Sequence, residues 1–184
     1  MFNWDTFYRL PVVGILRGFN RAQVEKLVPA AAAGGLCNFE VTMNTDDAAG
    51  IIRLMCELAG DRANVGAGTG CSLASLEAAL EAGAGFIVTP VVAGDVIAEC
   101  VKRQVPVFPG AMSPTEIYLA SQLGATLVKV FPSDQLGPAY IQSLKAPFPN
   151  LRLMPTGGVT VETLAAYKRA GAEAFGVGSP LFDQ

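Results

Sequence analysis

The chain has 184 residues, 51% of them hydrophobic and 16% charged, with a net charge of −3. This composition excludes a disordered chain, suits one domain that buries about 70% of its unfolded surface, and lacks the basic field needed to wrap nucleic acid. Histidine is absent, which removes imidazole bases, His-containing hydrolytic triads and the usual imidazole metal ligands.

Residues 1–10 carry Asp5 and Arg9 and no long apolar run, so neither a signal peptide nor a membrane span is expected. Cys37, Cys56, Cys71 and Cys100 form no Cys-x-x-Cys pair and read as reduced thiols of a soluble, cytoplasmic protein. Apolar segments rich in Val, Ile and Phe then alternate with Ala/Leu-rich segments of helical period. Strands are expected at 11–18, 37–43, 63–69, 85–91, 106–111, 126–132, 152–158 and 174–181. Between them, Asn20 with Gln23 and the run Ser113-Pro114-Thr115-Glu116 announce helix starts. Thr45 before Asp46-Asp47, and Gly137 before Pro138, do so more weakly. Gly34, Gly83, Gly124 and Gly171 stand where a left-handed residue closes a helix.

Eight βα steps predict an α/β fold, a closed (β/α)8 TIM barrel spanning 1–184 as one domain, rather than an open doubly wound sheet. The pattern holds no eighth helix after the last strand. The outer faces of strands eight and one, including Val12 and Leu16, are therefore expected to lie uncovered, with the chain a shortened form of a longer protein or a neighbouring subunit filling the gap.

In such a barrel the chemistry belongs at the C-terminal ends of the strands. Alternation in Asn38-Phe39-Glu40-Val41-Thr42 points Glu40 into the barrel, where its charge is desolvated; a structural pair with an arginine is the plainer alternative. Alternation in strand six points Lys129 inward, where desolvation favours a neutral amine able to attack a carbonyl, unless it only neutralises Glu40. Arg17 shares the parity of Val13 and Ile15. Gly157-Gly158 and Gly178-Ser179 end strands seven and eight, the frequent phosphate site of barrels. Gly66 and Gly68 are expected to clear space beside a ligand to which Thr69 donates a hydrogen bond. No cluster has metal-ligand spacing and no nucleotide-cofactor motif occurs, so neither a metal nor a cofactor is expected.

These motifs resemble the 2-keto-3-deoxy-6-phosphogluconate (KDPG) and 4-hydroxy-2-oxoglutarate (KHG) aldolases, together with the related 6-phosphogalactonate aldolases. The resemblance covers nearly the whole chain. It is carried by Gly14-Ile15-Leu16-Arg17-Gly18, Phe39-Glu40-Val41-Thr42, Val65-Gly66-Ala67-Gly68-Thr69, Phe86-Ile87-Val88-Thr89-Pro90, Pro109-Gly110, Val128-Lys129-Val130-Phe131-Pro132, Pro155-Thr156-Gly157-Gly158-Val159 and Gly176-Val177-Gly178-Ser179. It implies a homotrimeric, metal-free class I aldolase acting on small keto acid and aldehyde substrates. By motif match, Lys129 is the Schiff-base lysine and Glu40 the proton shuttle. The same match implies that Arg17 and Thr69 would hold the pyruvyl carboxylate, Pro90 and Phe131 would wall the pocket, and Gly157, Gly158, Gly178 and Ser179 would cradle a phosphate.

Asn44 stands where many gluconate-type members carry arginine, as in galactonate-type relatives, which leaves the substrate epimer open. The implied reaction is reversible cleavage of a 2-keto-3-deoxy-6-phospho sugar acid to pyruvate and glyceraldehyde 3-phosphate. The alternatives are cleavage of 4-hydroxy-2-oxoglutarate to pyruvate and glyoxylate, or a catalytically silent trimeric scaffold.

Overall fold

The computed structural model describes residues 2–182. Each expected strand interval holds one strand: β1 (Val12–Leu16), β2 (Asn38–Thr42), β3 (Asn64–Gly68), β4 (Ile87–Thr89), β5 (Val107–Ala111), β6 (Val128–Val130), β7 (Leu153–Pro155) and β8 (Phe175–Val177). Helix α1 (Trp4–Arg9) precedes β1. The connecting helices are α2 (Arg21–Ala33), α3 (Ala48–Ala59), α4 (Leu73–Glu81), α5 (Gly94–Lys102), α6 (Pro114–Gln122), α7 (Gly137–Lys145) and α8 (Val161–Arg169).

All strand pairs are parallel, in the order β7-β6-β5-β4-β3-β2-β1-β8. Between β7 and β8 the ladder shrinks to one bridge, Thr156 with Gly176, assisted by the Glu173 N–H donating to the Leu153 carbonyl at 2.9 Å. Eight strands thus come round to a nearly closed barrel. Side chains of one parity form its interior: Val13, Phe86, Val88, Phe108, Leu127, Met154 and Ala174 pack as a buried apolar floor. The opposite parity packs against the helices in a larger core that includes Phe39, Val41, Val65, Val128 and Val130. Period-two alternation therefore has two apolar destinations, as a parallel sheet covered on both faces requires.

Helix α1 is not legible in the sequence. Its first turn is capped by Asn3, whose side chain accepts the Thr6 N–H at 2.9 Å, and it closes the bottom of the barrel with aromatic side chains. The Phe2, Phe7, Phe86 and Phe108 rings meet at centroid distances between 5.3 and 6.4 Å. Two inward asparagines hold this plug: Asn64 Nδ2 donates to Asn38 Oδ1 at 2.8 Å and to the Asn3 carbonyl at 2.9 Å, and Asn38 Nδ2 donates to the Leu10 carbonyl at 2.9 Å. These bonds satisfy the buried amides, so polar residues at the barrel floor carry little penalty.

The helix starts at Asn20 and Ser113 are complete capping boxes, as expected. Thr45 is different. Helix α3 begins after Asp47, a left-handed residue with φ 54°, and Thr45 uses its hydroxyl elsewhere. Gly83, Gly124 and Gly171 are left-handed at helix ends, but at the end of α2 that role falls to Gly35 rather than Gly34.

Among the described residues no helix follows β8; the outer faces of β8 and β1 are nonetheless mostly out of water, although Val12 and Val177 border an apolar groove. Val12 is 9% and Leu16 1% exposed. The reason is that the chain turns back after Val177, and the Phe182 ring lands on Gly14, where a Cβ would stand 2.7 Å from its Cζ, and on the Phe19 ring at 6.0 Å. An apolar groove of about 510 Å³ persists between α2 and α8, lined by residues such as Leu27, Leu164, Val177 and Leu181. No helix among the described residues is long and apolar enough to cross a membrane.

Candidate active site

At the C-terminal mouth of the barrel the inward parity changes from apolar to polar. Glu40 on β2 and Lys129 on β6 are 1% and 5% exposed. Glu40 sits beside β3 because Gly68 has no side chain: a Cβ at Gly68 would stand 1.7 Å from Glu40 Oε1. Gly66 similarly admits the Phe86 ring, from which a Cβ at Gly66 would stand 2.5 Å. The two glycines thus make room for protein side chains, where the sequence pattern pointed to room for a ligand. On the proton-shuttle role that the family resemblance implies for Glu40, a Gly68→Ala chain is expected to fold with Glu40 swung off its position and to lose about 10²-fold in turnover, as for a misplaced acid/base group. Turnover equal to that of the parent would show that the approach of Glu40 to Gly68 has no catalytic consequence.

The Glu40 carboxyl is out of water, and its Oε2 has no hydrogen-bond partner among the described residues. Burial pushes its pKa above the ordinary 4.5, and the charges of Lys129 and then Arg17 pull it partly back. These two cations act on it through space. Lys129 Nζ lies 4.9 Å from the centroid of the Phe131 ring, an aromatic face that attracts the ammonium. Phe131 is 37% exposed and forms a rim beside the lysine.

Arg17 lies one residue past β1, exposed at the mouth. Thr69 lies one residue past β3 with φ 64°, a left-handed conformation that a β-branched residue rarely adopts. Pro90 follows β4, and its carbonyl packs so closely on Gly110 that a Cβ there would stand 2.4 Å away. The loop ends after β7 and β8 approach one another through the Thr156–Gly176 bridge. Gly157, Gly158, Gly178 and Ser179 make no backbone N–H hydrogen bond among the described residues, and the first two run directly into the α8 N-terminus. Gly158 has φ 70° and abuts Asp134, with a would-be Cβ 2.5 Å from Asp134 Cβ; both features admit only glycine.

Two buried polar residues that the sequence pattern does not single out organise these ends. The Ser133 hydroxyl donates to the Val130 carbonyl at 2.7 Å and accepts the Thr156 N–H at 3.2 Å, and the Ser133 carbonyl accepts the Tyr167 hydroxyl at 2.9 Å. It ties the end of β6, which carries Lys129, to the end of β7 and to α8. Thr42, inward on β2, bonds Thr45. Neither is legible because a serine after proline, or a threonine late in a strand, reads as ordinary turn or strand chemistry. Among the described residues no group of three or more Cys, Asp or Glu is placed to hold a metal ion.

Residues 5–184 match the family described as KDPG and KHG aldolase. The 2-dehydro-3-deoxy-6-phosphogalactonate aldolase of Escherichia coli (strain K12) is 35% identical over 180 residues, covering 97% of this chain and 87% of the relative. The 2-dehydro-3-deoxy-phosphogluconate aldolase of Pseudomonas aeruginosa is 37% identical over 159 residues, covering 86% of this chain and 70% of the relative. A solved structure of native KDPGal superposes with a TM-score of 0.90 at 34% identity, over 95% of this chain and 85% of that one.

Proposed function

The chain belongs to the KDPG and KHG aldolase family and is an aldolase; on that premise we propose that it works through a Schiff base, cleaving a 2-keto-3-deoxy-6-phospho sugar acid reversibly to pyruvate and glyceraldehyde 3-phosphate. The observation that carries this reading is a buried, inward lysine, Lys129, at the same barrel mouth as a buried carboxyl, Glu40.

The neutral Lys129 amine adds to the C2 ketone, and loss of water gives a cationic imine. Glu40, as carboxylate, takes the C4 hydroxyl proton; the C3–C4 bond breaks, its electrons flow to the imine, and the aldehyde departs. The enamine then takes a proton at C3, and water releases pyruvate and the free amine. A carboxyl whose pKa burial has raised holds a proton more readily than a solvated one, which suits it to exchanging this proton. The electron sink is the imine itself, so we read the reaction as metal-independent. Arg17 and Thr69 hold the carboxylate, Pro90 and Phe131 wall the pocket, and the Gly157, Gly158, Gly178 and Ser179 backbone takes the phosphate.

Arg17→Lys is expected to weaken pyruvate binding by about 1.5 to 3 kcal/mol, because an ammonium cannot present the paired donors of a guanidinium to a carboxylate. Isothermal titration of the variant with pyruvate checks this, and parental affinity would assign the carboxylate to Thr69 and backbone donors instead.

Turnover of the gluconate and galactonate substrates side by side, with inorganic phosphate as competitor, tests the reaction. Cleavage of at least one, inhibited by phosphate, is expected. Cleavage of 4-hydroxy-2-oxoglutarate alone, indifferent to phosphate, would replace the sugar acid with that keto acid, and no pyruvate from any of the three would leave a silent scaffold. The same reading carries a cytoplasmic homotrimer, for which sedimentation at three times the chain mass is the expected result.

A further inference from the structure

We infer that Thr45 is a positioning residue that sets the direction of Arg17 by holding the peptide bond that follows it. The inference rests on the carboxylate-binding role proposed for Arg17.

The β1–β2 ladder runs Gly14 with Phe39, Ile15 with Glu40 and Leu16 with Val41, and there it stops. Arg17 is the first residue beyond it, so the register of the sheet no longer fixes its backbone. Gly18 follows with φ 74°, a conformation with little steric preference of its own. What takes over is a side chain. The Gly18 N–H donates to Thr45 Oγ1 at 3.0 Å, and that bond fixes the plane of the Arg17–Gly18 peptide.

Thr45 is itself held on three sides. Its N–H donates to the Thr42 carbonyl at 2.9 Å, its own carbonyl accepts the Ala48 N–H at 3.2 Å, and its hydroxyl shares a 3.0 Å hydrogen bond with the Thr42 hydroxyl. Thr42 and Thr45 are both buried. Thr42 stands two residues beyond Glu40 on the same face of β2, so the clamp is anchored to the strand that carries the acid/base group. The hydroxyl pair is consistent as a chain: the amide donates to Thr45, and one proton is shared between the two threonines. The carboxylate-holding loop and the carboxyl-bearing strand are thereby locked in one register.

The experiment measures imine formation with pyruvate, trapped by borohydride, across a pyruvate titration. In Thr45→Val, which keeps the shape and removes the acceptor, half-saturation is expected at three- to tenfold higher pyruvate, about the cost of one neutral hydrogen bond, with the imine formed at saturation changed less than twofold. Thr45→Ser restores the acceptor and is expected to return half-saturation to the parental value. In the Arg17→Lys background, Thr45→Val is expected to add nothing. A Thr45→Val chain that binds pyruvate like the parent, while Arg17→Lys alone weakens it, overturns the clamp and leaves the role of Arg17 standing. An equal loss from Thr45→Val in both backgrounds also overturns it, since the effect would not pass through Arg17. No loss from Arg17→Lys alone removes the carboxylate reading, and with it this inference. If Thr45→Val does not fold, Thr42→Val, which frees the Thr45 hydroxyl but keeps its acceptor, is expected to shift half-saturation in the same direction by a smaller factor, and an unshifted value overturns the clamp.

Discussion

Lys129→Met is expected to reduce aldol cleavage by roughly 10⁴-fold or more, the scale on which loss of a covalent nucleophile acts. The methionine fills the space of the lysine stem beneath the Phe131 ring, so the barrel is expected to fold with an unchanged thermal midpoint to within a few degrees. The effect is large because the amine both attacks the ketone and, once converted to an imine, receives the electrons of the breaking bond. Among the described residues the groups facing it cannot substitute: Glu40 is a carboxyl, and the delocalised Arg17 guanidinium is not an amine nucleophile. The variant has a second consequence. The Lys129 charge lowers the Glu40 pKa, so its removal should move that pKa further upward, visible as a carboxyl titration at higher pH in infrared difference spectra. A variant retaining a tenth of parental turnover would exclude Lys129 as the imine-forming residue.

Glu40→Gln is expected to lower turnover by about 10²- to 10⁴-fold while imine formation with pyruvate persists at least in part, since the amide keeps the shape but cannot exchange the proton. Its stability profile carries a separate sign. Burial raises the folded-state Glu40 pKa above the ordinary 4.5, so the folded chain holds this proton more tightly than the unfolded chain. The contribution of Glu40 to stability is therefore greatest below the ordinary carboxylate range, falls as pH rises through the raised value, and is level above it. Glutamine has no such dependence. The Glu40→Gln chain should match the parent in acid and gain on it as the pH rises above the ordinary carboxylate range, measured as paired thermal midpoints. A parent that gains on the variant with rising pH would mean that the carboxylate is stabilised by the fold.

The barrel is legible because short apolar segments alternate eight times with Ala- and Leu-rich ones, and a charged residue inside such a segment stands out. Lys129 breaks an otherwise apolar parity on β6, and Glu40 is the one charge on an inward face it shares with the neutral Asn38 and Thr42. Helix α1 is hidden for the opposite reason: it has six residues, and Phe2, Trp4 and Phe7 become a barrel floor only through Phe86 and Phe108, which lie far along the chain. Thr45 reads as a cap because a hydroxyl ahead of an acidic pair usually starts a helix, whereas here it accepts from the Gly18 amide at the end of another strand. The eighth strand is expected to continue to Leu181 but ends at Val177, and that early stop lets Phe182 reach back over Gly14. Gly68 shows a further limit: the space it leaves is filled by the Glu40 carboxyl, a contact between neighbouring strands that no local motif announces.

The measurement that bears most directly on a Schiff-base mechanism is mass analysis of peptides after borohydride reduction in the presence of pyruvate. A pyruvyl adduct on the peptide that contains Lys129, absent without pyruvate and absent in Lys129→Met, is the expected result. An adduct confined to Lys102, Lys145 or Lys168, or a chain that turns over substrate with no lysine trapped, would contradict it.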